Sequence, residues 1–260
     1  MEFGDLGDSF AMQNTVFSAA TGIERSVWLE VPGNLYRMEG NGAALSEVRD
    51  GYCKYSDVES GATVTCSFTA DRDGFVCVRL DFPKRNDLTI RINGADVYHE
   101  DMSLPQMMAV GDVKQGDVIS IEANCKAGEN GTLSVEGAML AEDVFQQGYE
   151  ILSASTLELT TFRNTLVEGT ISCDQDGLLY TSIPQNGNWK ALVDGKPTEI
   201  QLVGDCMVAV PLTQGNHQVT FVYHNAAFSL GWKISLGCVL VFGLLAWVQR
   251  KRGRRREYQV

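Results

Sequence analysis

Two short acidic motifs are the first candidates for chemistry: Asp71-x-Asp73-Gly74 and Asp174-x-Asp176-Gly177. Alternating carboxylates before a glycine open a calcium loop, but such a loop also needs a third oxygen ligand and a terminal glutamate, and neither follows. Asp and Gly ahead of a strand make a tight turn, which is the reading taken for both motifs. Trp189 and Tyr180 are the candidate substrate-binding residues, because two aromatic rings can form a platform for a sugar ring. Trp189 also falls in phase with Ala191 and Val193, the spacing of a sandwich core position. His217, in "QGNHQVTFVY", reads as a strand-edge residue and not a general base. Together with His99 and His224 it makes no metal constellation. The seven cysteines have no regular spacing and form no CxxC pair. Cys66 alternates with Val64 and Phe68, and Cys77 with Phe75, so buried free thiols are expected. There is no GxSxG, P-loop or GxGxxG. No catalytic residue, metal or cofactor is assigned.

The elements that must carry these residues come in two sets. Asp71-x-Asp73-Gly74 recurs as Asp174-x-Asp176-Gly177, the turn Asn93-Gly94 as Asp194-Gly195, and Gln115-Gly116-Asp117 as Gln214-Gly215-Asn216. Asn-Gly and Asp-Gly between alternating apolar runs are strong hairpin signals. In the first set "TVTCSF", "FVCVRL", "LTIRIN", "MMAV" and "DVISIEA" read as strands; in the second, "LLYTSI", "KALVDG", "MVAVPL" and "HQVTFVY" do. The expected fold is mainly β: tandem antiparallel, jelly-roll-like sandwiches near residues 40–141 and 157–224. A lead-in over 1–39 carries a short helix on "SFAMQNTVFSAATG", and the polar stretch 142–156 is expected as a linker.

Charge and hydropathy divide the chain differently. Six basic residues between Arg250 and Arg256, less Glu257, leave −17 on residues 1–249 of a chain whose net charge is −12. An acidic body excludes nucleic acid as a partner, since phosphate binding needs basic stripes. The 23 residues Ala226–Val248 hold one charge, Lys233. As a helix they reach about 34 Å, enough for a hydrocarbon core of about 30 Å. Nine Ile, Leu, Val or Phe residues between Ile234 and Val248 contribute about −4 kcal/mol to insertion, and one lysine near an end offsets at most about 3. A transmembrane helix at 226–248 is therefore expected, with Trp232 and Trp247 at its interfaces. The basic tail 249–260 lies in the cytoplasm by the positive-inside rule, and residues 1–225 outside. "MEFGDLGDSFAMQN" is not a signal peptide, so the chain is expected to be the tail of a longer, multi-pass protein.

Three stretches resemble the C-terminal end of the bacterial membrane protein YfhO family. "DSFAMQNTVFSAATG" is similar to its F-x-x-QN segment ending in tG, "DGLLYTSIPQNGNWKALVDGKP" to its block ending in VDGK, and "VAVPLTQGNHQVTFVYHNAAFSLGWKIS" to its Gly-x-His strand leading into a final span. Asn188 before Trp189 departs from the glycine usual there. The resemblance implies a many-span envelope protein similar to GT-C glycosyltransferases, which use a lipid-phosphate-linked sugar to decorate polymers such as teichoic acids. The catalytic acid of such enzymes lies in an early extracytoplasmic loop absent from this chain, so no catalytic residue is carried over. The expected partners are the lipid bilayer, a cell-envelope glycopolymer and upstream spans. The alternative is a self-standing, single-span surface module that binds glycan or protein.

Overall fold

In a computed structural model, residues 9–82, 86–102 and 105–257 are described. They divide into two compact units, one reaching to Ala154 and one starting at Ser155.

The first unit opens with helix α1 (Ser9–Thr21), followed by strands β1 (Trp28–Glu30), β2 (Arg37–Asn41), β3 (Ala44–Arg49), β4 (Tyr52–Ser56), β5 (Thr63–Thr69) and β6 (Gly74–Asp81). It continues with β7 (Asn86–Ile92), β8 (Ala95–Met102), β9 (Gln106–Val113), β10 (Val118–Asn124), β11 (Gly131–Leu140) and helix α2 (Glu142–Ser153). One sheet runs β3-β4-β11-β6-β9, with β1 added on β11; the other runs β2-β5-β10-β7-β8. Every pairing is antiparallel. Alternation explains the burial. On β5 it is Val64, Cys66 and Phe68 that point inward, and on β6 it is Val76, Val78 and Leu80. Ile119 and Ile121 of β10 and Leu133 and Val135 of β11 close the same core from both sheets.

The lead-in is part of this unit. Asn14 takes the place of a strand neighbour for Trp28: its Oδ1 accepts the Trp28 amide at 2.7 Å and its Nδ2 donates to the Trp28 carbonyl at 2.9 Å. Gln13 Oε1 accepts the Trp28 indole N–H at 2.9 Å, and the Phe10 ring meets the Trp28 ring at 5.5 Å. Gly22, at φ +74°, closes the helix by donating to Ser18. The Phe-x-x-Gln-Asn and Thr-Gly features are thus a clasp and a cap. Residues 142–156, expected as a linker, carry α2. Its Val144 and Gly148 are buried and Phe17 of α1 packs nearby, so the two helices share a small third core.

Gly51, buried at φ +78°, sits where an added Cβ would run into the Val135 carbonyl oxygen. Gly51→Ala combines left-handed strain with a backbone clash that no rotamer relieves. It is expected to cost the first sandwich about 2 kcal/mol, read as a lowered urea midpoint.

The second unit contains β12 (Glu158–Arg163), β13 (Leu166–Cys173), β14 (Gly177–Pro184), β15 (Trp189–Val193), β16 (Lys196–Thr198), β17 (Gln201–Val203), β18 (Met207–Leu212), β19 (Gly215–Tyr223) and helix α3 (Ala226–Glu257). Its sheets run β12-β13-β19-β15-β16 and β14-β18-β17. Val167, Ile171, Ala191, Val219 and Phe221 from the first meet Val208, Val210 and Leu212 from the second. The order β12-β13-β19-β15-β16 reproduces β2-β5-β10-β7-β8, each strand standing in for the one at the same place in chain order. Asn225 caps α3, its Oδ1 accepting the Phe228 amide at 2.9 Å. The segment Ala226–Trp247, with mean hydropathy 1.8, is long and apolar enough to cross a membrane.

Candidate functional site

The structure separates the two aromatic candidates. Trp189 starts β15 on the face that packs against the second core, half-buried, in phase with buried Ala191. Tyr180 lies in the other sheet, on β14, 55% exposed, beside exposed Leu178. The partner of Trp189 is Tyr223, directly opposite on β19, with ring centroids 5.2 Å apart in an edge-on arrangement. Around this pair the loop Gln185–Asn188 is tightly tied. Gln185 Oε1 accepts the Gly187 amide at 2.9 Å and the Trp189 amide at 3.3 Å, and the Tyr223 hydroxyl accepts from Asn186 Nδ2 at 3.2 Å and Asn188 Nδ2 at 3.4 Å. The Asn188 carbonyl takes the His224 amide at 2.9 Å. Asn188, which departs from the glycine usual in the resemblance, thus contributes a side-chain bond to Tyr223. Strand register brings Tyr223 to Trp189, and no local sequence signal marks the pairing.

The acidic motifs are consumed by turns. Asp73 Oδ1 accepts the Gln115 amide at 2.8 Å, and Asp176 Oδ1 accepts the Gln214 amide at 2.7 Å. In each unit the second aspartate ties its own turn to a later one, the turn before β10 in the first unit and the turn before β19 in the second. The Gln115 amide and the Lys114 ammonium hold the Asp73 carboxyl below the usual range. The hairpin residues repeat a second device. Asn93 and Asp194 both have positive φ, +50° and +52°. Asn93 Oδ1 accepts the Val118 amide and Asp194 Oδ1 the Gln218 amide, each at 2.9 Å, while their own amides donate to the carbonyls of those same residues. Among the described residues, no three His, Cys, Asp or Glu side chains are grouped to hold a metal ion.

The motifs ending in VDGK and beginning Gly-x-His meet at one point. His217 Nδ1 lies 2.8 Å from Asp194 Oδ2, and its Nε2 lies 3.0 Å from the Thr213 carbonyl oxygen. The Thr213 hydroxyl lies 3.3 Å from the same Nε2, so both ring nitrogens are engaged within the turn, and the two acceptors favour the doubly protonated ring. The side chain is only 12% exposed. Asp194 first, then the Thr213 carbonyl, raises the His217 pKa above its usual 6.5, while the His217 ring first, then the Gln218 amide, lowers Asp194 below 3.8. A raised histidine pKa means the folded state binds the proton more tightly. Its stabilisation is complete below pH 6.5 and is lost as pH rises through the higher folded value. Asp194 contributes above 3.8 and ceases to as pH falls through its lowered value. The unfolding midpoint of the second sandwich is expected to fall as pH rises above 6.5 through the raised folded value, and His217→Gln to flatten that slope. A flat wild-type profile contradicts the paired imidazolium.

All seven cysteines are free thiols. Burial pushes Cys53 and Cys125 up to about 11 and Cys66 to about 12, so these are inert at neutral pH. Cys77 is half-buried and Cys206 is exposed.

With this geometry in view, residues 36–235 match the family described as Bacterial membrane protein YfhO, which is more than half of the chain. The chain belongs to the YfhO family. The YfhO match covers the last part of the lead-in, both sandwiches and the first turns of α3, and starts downstream of the α1 clasp. Family membership and the apolar helix locate the protein in a membrane. Among curated proteins, none matches the sequence. Several solved structures are weakly similar. A family 35 carbohydrate binding module from Clostridium thermocellum is 17% identical with TM-score 0.30, covering 44% of this chain and 98% of its own. A family 29 carbohydrate binding module from Piromyces equi is 10% identical with TM-score 0.27, covering 45% and 89%. A GH2 beta-galacturonidase from Eisenbergiella tayi is 12% identical with TM-score 0.28, covering 77% and 38%. The YfhO assignment rests on the sequence match alone.

Proposed function

We propose that this chain is the extracytoplasmic sandwich region and last span of a multi-pass envelope protein resembling GT-C glycosyltransferases, and that it transfers no sugar alone. The sandwiches hold a glycopolymer acceptor, teichoic-acid-like, over a membrane active site supplied by other spans. Residues up to 225 face outward and the basic tail faces the cytoplasm. The observation that carries the reading is the joint between β19 and α3: only His224 and Asn225 separate the sandwich from the span. With so short a tether the second sandwich is held at the bilayer surface, where a lipid-linked donor presents its sugar. Sugar transfer from a lipid phosphate needs a base beside the acceptor and cations for the phosphate. The groups best placed to act, Asp73, Asp176, Asp194 and His217, are committed to turns. Tyr180, with Leu178 on the open face of its sheet, supplies the sugar-stacking surface, while Trp189 supports Tyr223 from the core side.

The test is an assay of sugar transfer from a lipid-phosphate donor to the envelope polymer. The reconstituted chain alone is expected to show no turnover, and turnover is expected once upstream spans are restored. Turnover by the chain alone overturns the proposal, as does full turnover by the spans without residues 9–223.

A further inference from the structure

The foot of the second sandwich carries a groove that the reading above leaves unused. It has a volume of about 490 Å³, and Thr165, Tyr223, His224 and Asn225 form one wall while Phe228, Ser229 and Trp232 of α3 form the other. Its lining contains no carboxylate, lysine or arginine, in a body that otherwise carries a large excess of acid. Such a lining holds no permanent charge, and beside the Tyr223 phenol its one ionisable side chain is the His224 imidazole, so a charged headgroup gains no fixed ion pair there for the hydration it loses. What it does offer is hydroxyls from Thr165, Tyr223 and Ser229, the Asn225 amide, and three aromatic rings. Alternating hydroxyl and C–H surface is the property of a neutral pyranose, which stacks on rings and hydrogen-bonds at its edge.

The groove also has a fixed address. Phe228 and Trp232 lie one turn apart on the first turns of the span, both exposed, so the groove opens at the level where tryptophan sits between water and hydrocarbon. Its wall is continuous with the surface that the bilayer covers. A sugar arriving there on an acyl anchor is already oriented, whereas a free sugar must give up its translational freedom. We propose that this groove holds the neutral hexosyl headgroup of a membrane glycolipid, with Trp232 and Phe228 against the sugar face and Thr165 and Ser229 at its hydroxyl edge. The proposal needs α3 to span the membrane; it does not need the chain to take part in sugar transfer.

The experiment reconstitutes the full chain in nanodiscs of phosphatidylglycerol doped with a monohexosyl diacylglycerol. The lipids that stay bound after mild detergent extraction are then quantified by mass spectrometry. Wild type is expected to retain the hexosyl lipid about tenfold above its share of the bilayer. Thr165→Trp fills the groove from the β12–β13 turn and should return retention to the bilayer ratio. Ser229→Trp blocks it from the opposite wall and serves if the first variant fails to fold, as judged by its thermal midpoint. Retained lipid that mirrors the bilayer overturns the proposal, and so does enrichment of phosphatidylglycerol. Binding of methyl glucoside by the delipidated chain as tight as binding of the glycolipid also overturns it, because the anchor would then contribute nothing.

Discussion

Replacing Phe221 with alanine is expected to cost the second sandwich about 3–5 kcal/mol, enough to unfold it at room temperature. Phe221 is fully buried in the C-terminal part of β19, flanked by Val167 on β13 and Ala191 on β15. Its ring fills the space between that sheet and Val208 and Val210 of β18. Eight buried residues make up this core, against twenty-four in the first sandwich, so each lost contact is a larger share of the whole. A domain of this size buries a smaller fraction of its chain and has little stability in reserve. The first sandwich has a separate core and should keep its own unfolding transition. Calorimetry is the check: one transition should disappear and the other persist. Loss of both, or a midpoint shift of less than a few degrees, contradicts the assignment of Phe221 as the keystone of an independent core.

The second large effect is on insertion. Val239 and Phe242 lie mid-span and are exposed in the folded chain, so substitutions there change solvation by lipid and little else. Arginine at both positions costs about 5–7 kcal/mol at the helix centre, against the roughly −4 kcal/mol that the apolar residues supply. The sign of the insertion energy therefore reverses. Val239→Arg with Phe242→Arg should move the chain from the carbonate-resistant membrane fraction into the soluble fraction, with strand-rich circular dichroism unchanged. Retention in the membrane would mean that α3 is held there by something other than its own hydrophobicity.

The hairpins were the most legible part of the fold. Asn93-Gly94 and Asp194-Gly195 announce left-handed backbone in two successive residues, and few conformations satisfy that. Alternation placed Val64, Cys66 and Phe68 inward because a strand has only two faces. The D-x-D-G turns were read correctly as turns, although their partners, Gln115 and Gln214, lie about forty residues downstream and cannot be found locally. Helix α2 escaped notice within a stretch that looked polar. Its signals were Glu142 and Asp143 in a first turn and Val144 spaced four residues from Gly148, a short inward stripe interrupted by exposed Phe145 and Tyr149. The attachment of β1 to β11 and the pairing of Trp189 with Tyr223 depend on register between distant strands, which composition and period do not encode.

His217 shows where the reading of a candidate site stops. Its position on a strand was evident, but its role depends on Asp194 being held across the sheet by the Gln218 amide, and on the Thr213 carbonyl lying under the ring. Two motifs that carried the family resemblance thus turn out to be two halves of one clasp. Gln13 and Asn14 play the same part for Trp28. In both clasps the residues that carried the resemblance hold a neighbouring strand or turn.

Cys206 offers the most direct test that the sandwiches stand outside the membrane. It is exposed in the second unit, whereas Cys53, Cys66 and Cys125 are buried and Cys238 lies within the span. A membrane-impermeant maleimide added to intact cells is expected to label the wild-type chain, and Cys206→Ser should remove most of that signal. Labelling of Cys206 that appears only after the cells are permeabilised would put the sandwiches in the cytoplasm and contradict the account.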